Sequence, residues 1–100
     1  MNLEINEIYT IKLNTSEELI AKIVEEFDNY LVVTHPIAAV LTPQGLQLMP
    51  CMFSSNMDKN VQLNKNSIAM VAETREDIRA KYHEATTGIV TPPAKQIITG

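Results

Sequence analysis

Few residues of this chain could carry bond chemistry, and their spacing decides what kind. Cys51 with His35 or His83 would supply a nucleophile and a base, but no local signature surrounds the cysteine. The two histidines stand far apart, and neither has a second ligand at metal spacing, so no metal site is expected. Glu25, Glu26 and Asp28 sit close together, yet adjacent strand residues point to opposite faces, which makes a solvated edge of them. The chain has no Gly-rich phosphate loop, Ser-centred elbow or paired-carboxylate motif. No enzyme and no cofactor are therefore expected. What remains is two short polar breaks, each held between apolar runs. The first is the Asp28-Asn29 pair between Ile23-Val24 and Tyr30-Leu31-Val32-Val33, and the second is Lys65-Asn66-Ser67 between Val61-Gln62-Leu63-Asn64 and Ile68-Ala69-Met70-Val71. An Asp-Asn pair in that setting favours a tight reversal.

Composition bounds the partners these breaks could meet. One hundred residues make one small domain, and a chain of this size hides only about 60–70% of the surface it exposes when unfolded. Hydrophobic residues make up 45% of the chain, but there are two Phe, three Tyr and no Trp, so Ile, Leu, Val and Met must build the core. Burying further apolar surface between like subunits would compensate for so thin a core. The net charge of −4 argues against a protein that coats duplex DNA, because phosphate neutralisation dominates that affinity. It leaves room for a few basic groups gathered at one place. The lone Cys51 excludes an intramolecular disulfide. The amino terminus lacks the basic-then-apolar order of an export signal, and no apolar run approaches the roughly 20 residues that span a bilayer. The expected location is the cytoplasm.

The elements that must position the two breaks read mostly as strands. Tyr9, Ile11 and Leu13 alternate with Thr10 and Lys12, and Asn14-Thr15-Ser16 forms the exit turn. Residues 16–27 conflict with that pattern. Leu19, Ile20, Ile23, Val24 and Phe27 recur at helical spacing, and Thr15 followed by Glu18 has the form of a capping box, so local physics predicts an amphipathic helix. As a strand, the same segment puts Leu19, Ala21, Ile23 and Phe27 on one face. Residues 30–41 are nearly all apolar, and Pro36 demotes them from a continuous central strand to a bend or an edge. Thr42-Pro43-Gln44-Gly45 is a β-turn, after which Leu46 to Phe53 resumes an apolar course interrupted by Pro50. Residues 54–60 form a polar turn, and strands at 61–64 and 68–72 follow. Thr74 opens a helix over 74–87, with Ile78, Tyr82 and Ala85 as its apolar stripe and Gly88 as its stop. An extended or disordered tail is expected at 89–100.

Over roughly residues 8 to 72 this pattern resembles the two-part signature of the Sm/LSm family, in the form it takes in bacterial Hfq. Phe27-Asp28-Asn29-Tyr30 is similar to the Phe-Asp-Gln-Phe turn of Hfq, and Lys65-Asn66 takes the place of the Arg-Gly or Lys-His pair that precedes the last strand. The resemblance implies a small, strongly bent, five-stranded antiparallel barrel, SH3-like in form, with the carboxy-terminal helix added, all within residues 1–88. It makes residues 16–27 a long bent second strand. It also implies a homo-oligomeric ring in which the fourth strand of one subunit pairs with the fifth of the next, holding single-stranded RNA, or less favourably single-stranded DNA, at the pore. By the resemblance, Tyr30 stacks on a base, Asn29 and Asn66 read base edges, Lys65 meets phosphate or a base carbonyl, and Asp28 supports the turn. Such a protein would act in RNA processing or as an RNA chaperone. Taken alone, these residues have plainer uses: Tyr30 packing on the core, Lys65 solvated, Asn29 and Asn66 as ordinary turn residues.

The departures from the family are specific. Ser16 and Ala21 stand where the family often has glycines, the 35–60 segment is longer than in Hfq, and the helix follows the barrel instead of preceding it. Ring size therefore does not carry over. A helix behind the barrel is the form expected of bacteriophage Sm-like proteins. A protein-interaction module built on the same barrel, recruiting a protein partner through the apolar 37–53 hairpin, is the alternative from another class.

Overall fold

The computed structural model describes residues 2–87, so the expected Gly88 stop and the 89–100 tail lie outside the described residues. The chain runs β1 (Ile8–Leu13), β2 (Glu18–Glu26), β3 (Tyr30–Thr42), β4 (Gly45–Pro50), β5 (Val61–Asn64), a 3₁₀ turn (Lys65–Ser67), β6 (Ile68–Glu73) and α1 (Glu76–Thr87). The protein is mainly β with one carboxy-terminal helix. All strand pairs are antiparallel, in the order β4-β3-β2-β1-β6, with β5 also on β3. The sheet holds six strands where five are expected. The additional one is β4, because the long segment after Pro36 folds back as a hairpin through Pro43-Gln44, with Gly45 at φ +107°. Only three residues carry the chain from β5, on the β3 side, to β6, on the β1 side, so the sheet curls strongly. β5 and β6 are not paired with each other, and the sheet stays open there.

Residues 18–26 form a strand, not a helix, and the register explains the misleading periodicity. On β3, His35 and Pro36 together oppose the single Ala21, and on β2, Val24 is an extra residue between Ile23 and Glu25. Each bulge flips the alternation once. β2 is also covered on both faces, which removes the polar alternation of a half-exposed strand. On one side Ile20 joins Ile8, Ile37, Ile78 and Tyr82 beneath α1. On the other, Ala21 and Ile23 pack with Leu31 and Val33 inside the curl, against Tyr9, Val61, Leu63 and Ile68. Ile11, Ile20, Ile23, Leu31 and Val33 are fully buried, each contributing about 1.5–3 kcal/mol of hydrophobic stabilisation. Phe27, expected on the buried face, is instead 39% exposed, since the Val24 bulge and the turn at 28–29 take it out of the core.

Pro36 does not break β3 or place it at an edge: the strand runs from Tyr30 to Thr42 with neighbours on both sides, and the irregularity is confined to the bulge at His35-Pro36. His35 adopts φ +50°, and the outer edge of β3 changes partner there, from β5 at residues 30–33 to β4 at 37–42. α1 clamps this bulge from above: the Tyr82 hydroxyl donates to the carbonyls of His35 (2.9 Å) and Thr34 (3.1 Å). Two helix expectations are corrected. Thr74 does not open the helix; it is buried and its hydroxyl bonds that of Thr10 on β1 (2.9 Å), so α1 begins at Glu76. Ala85 is exposed, and the buried stripe consists of Ile78 and Tyr82.

Candidate functional site

Strand alternation builds the site. In the β3–β5 pair, Tyr30 opposes Asn64 and Val32 opposes Gln62, while Leu31 opposes Leu63 and Val33 opposes Val61. The second set faces the core, so the first must face outward. Beside it lie the two polar breaks, tied by a backbone bond from the Lys65 N–H to the Asn29 carbonyl (3.0 Å). The result is a concavity of about 330 Å³ lined by Asn29, Tyr30, Gln62, Asn64 and Asn66. It has one aromatic ring and four side-chain amides, and none of its lining residues carries a charge.

Each wall is fixed by local structure. The β2–β3 turn closes with the Phe27 N–H donating to the Tyr30 carbonyl (2.9 Å), and the Phe27 ring stacks on Tyr30 with centroids 4.8 Å apart at 24°. Such a pair is worth about 0.5–1.5 kcal/mol beyond burial and limits the reorientation of Tyr30. Opposite, Asn64 caps the 3₁₀ turn, its side-chain oxygen accepting from the Asn66 N–H (2.9 Å). The Asn66 carbonyl accepts from the Asn14 side chain (2.6 Å) and the Asn14 N–H reaches Ser67 (2.8 Å), which anchors the turn to the end of β1. The side-chain amides of Asn29, Gln62 and Asn66 have no hydrogen-bond partner among the described residues, so their donors and acceptors face solvent.

Of the predicted site residues, Asn29, Tyr30 and Asn66 come together in this concavity. Lys65 does not line it. Its Nζ pairs with the Glu26 carboxylate at 2.8 Å, each side chain about one-fifth exposed, and this bond holds the Glu26 carboxyl below its ordinary range. Asp28 is exposed at the turn, and the bond that closes the turn is a backbone one from Phe27. Sequence reasoning missed Gln62 and Asn64. The signal was available: Val61-Gln62-Leu63-Asn64 alternates, and its polar positions share one face.

The remaining reactive side chains are not assembled into a second site. The Cys51 thiol donates to the Pro36 carbonyl (3.3 Å), and burial pushes its pKa up, which keeps it protonated at neutral pH. His35 Nδ1 is engaged with the Thr34 hydroxyl (3.1 Å) and His83 is exposed on α1. Among the described residues no three His, Cys, Asp or Glu side chains gather as metal ligands would. No described helix is long and apolar enough to cross a membrane. No protein-family model matches the chain, nor does any curated protein sequence.

Proposed function

We propose that this protein binds single-stranded RNA, and single-stranded DNA less well, by taking bases into the concavity beside Tyr30. We propose further that its copies join into a homo-oligomeric ring of Sm/LSm type that serves RNA processing or chaperoning. One observation carries the first part: a tyrosine held by Phe27 and ringed by Asn29, Gln62, Asn64 and Asn66 on a solvent-facing surface. An aromatic face stacks on any base, and amides supply both donors and acceptors to a base edge. The free outer edges of β5 and β6 support the second part, since head-to-tail pairing of one subunit's β5 with the next subunit's β6 would satisfy both.

The test is fluorescence anisotropy with labelled oligo-U, oligo-A and the matching DNA, on the wild type and Tyr30→Ala. Stacking is worth about 1–3 kcal/mol per base, so the substitution should weaken RNA binding about 5- to 160-fold. Binding that is indifferent to Tyr30 would reject the assignment.

A second reading rests on its own observation. Leu41 is 81% exposed at the β3–β4 hairpin and Phe53, just beyond it, 93% exposed. Large exposed apolar side chains near both ends of one hairpin suit a protein-interaction module. On that reading Leu41→Ser with Phe53→Ser abolishes capture of a protein partner while leaving the Tyr30 concavity intact.

A further inference from the structure

The charges around the concavity carry an inference that rests on the base-binding reading above. The two segments that build it, residues 26–30 and 61–67, contain three charged residues: Glu26, Asp28 and Lys65. Lys65 is the one cation among them, and it is already held by the Glu26 carboxylate at 2.8 Å, with only 19% of its side chain exposed. The two partners stand at fixed places. Glu26 ends β2, and Lys65 opens the 3₁₀ turn whose N–H is bonded to Asn29. A carboxylate tethered this way acts at a high effective concentration, which a diffusing phosphate must outcompete. With Lys65 occupied, the segments offer a nucleic-acid backbone only the free negative charge of Asp28.

We propose that Glu26 is the specificity-determining residue of this site: as an internal anion on Lys65 it removes the phosphate contribution to binding, so that ligands are selected by their bases. The ligand class is then a stacked, uncharged, hydrogen-bonding ring presented by a single strand, and the phosphates are passed over. This accounts for a nucleic-acid site on a chain of net charge −4 without requiring a basic pore.

Ionic strength reads this directly. A single strand that neutralises a lysine loses affinity with salt at a slope of about −0.7 in log K against log salt for each lysine engaged. For the wild type and oligo-U the slope per subunit should stay near zero between about 50 and 200 mM salt. In Glu26→Gln the freed Lys65 should tighten low-salt binding about two- to fivefold, the range expected for release of a surface ion pair, and should restore the slope. The double variant Glu26→Gln with Lys65→Gln should lose both the gain and the slope. The wild-type slope needs no variant, so the inference stays testable even if a substitution disturbs folding. A full lysine slope in the wild type, unchanged in Glu26→Gln, overturns the inference. If Tyr30→Ala still weakens binding in that case, the base-binding reading survives alone. Absence of binding to every oligomer overturns both.

Discussion

Tyr82→Phe isolates one oxygen whose effect can be worked out beforehand. Tyr82 is 3% exposed, and its hydroxyl donates to the carbonyls of Thr34 and His35 at the bulge in β3. His35 lies outside every ladder of the sheet. Phenylalanine keeps the ring packed against Ile8, Ile20, Ile37 and Ile78 but leaves the half-buried His35 carbonyl without this donor. The cost expected at neutral pH is about 1–2 kcal/mol in urea denaturation, read as a lower midpoint at unchanged m-value. The alkaline range supplies a second, independent signature. Burial pushes the Tyr82 pKa up to about 12 from an ordinary value near 10. An acid whose pKa is raised by folding favours the folded state while both states keep the proton. The advantage is complete below about pH 10 and drains away as pH rises towards 12, a loss of about 2–3 kcal/mol for two pK units. Wild type should lose this stability and Tyr82→Phe should not, so the two curves converge and then cross. Equal midpoints at neutral pH together with parallel alkaline losses would refute the argument, because they would mean that α1 does not seat this hydroxyl on β3.

Asn64→Ala removes the acceptor for the Asn66 N–H and should cost about 1 kcal/mol by the same denaturation assay, as loss of a capping side chain does. The Asn64→Asp variant keeps the cap and should recover the stability while adding a negative charge to the concavity, which should weaken oligo-U binding. The Glu26–Lys65 pair predicts an acid signature of definite sign. Because the folded-state pKa of Glu26 is lowered, the pair stabilises fully above the unfolded value of about 4.3 and fades as pH falls through the lower folded value. The midpoint difference between wild type and Glu26→Gln should therefore be constant from neutral pH down to about 5 and shrink below it.

Strand β1, the reversal at Asp28-Asn29, the β-turn at residues 42–45, the strands at 61–64 and 68–72 (the latter observed to run one residue further) and the presence of the terminal helix were all legible from residue types. Each of those signals is local: alternation, a turn-forming pair, a proline followed by a glycine. Residues 18–26 were not legible locally, since the Val24 bulge and burial on both faces produce a helical spacing in a strand. Only the family resemblance pointed the right way there. The cap at Thr74 was misread because Ser, Thr, Asp and Asn favour any nearby partner, and here the Thr10 hydroxyl across the sheet took Thr74. The site was half legible for a similar reason. Asn29, Tyr30 and Asn66 stand in turns that local sequence marks, whereas Gln62 and Asn64 join them only through the β3–β5 register. The partner of Lys65 could not be read at all, since Glu26 lies 39 positions away along the chain.

The change of partner along β3 has a consequence for how this chain can vary. One edge of a single strand serves β5 before His35-Pro36 and β4 after it, and the bulge there absorbs a residue without disturbing the pairing on either side. Lengthening or shortening the hairpin beyond Pro36 therefore changes nothing in the inward and outward parity of Tyr30, Gln62 and Asn64. The molecule is in effect two modules spliced on one backbone rail: the tip of the distal arm can drift in length, its base stays tied to the core through Ile37, and the end that bears Tyr30 keeps its geometry.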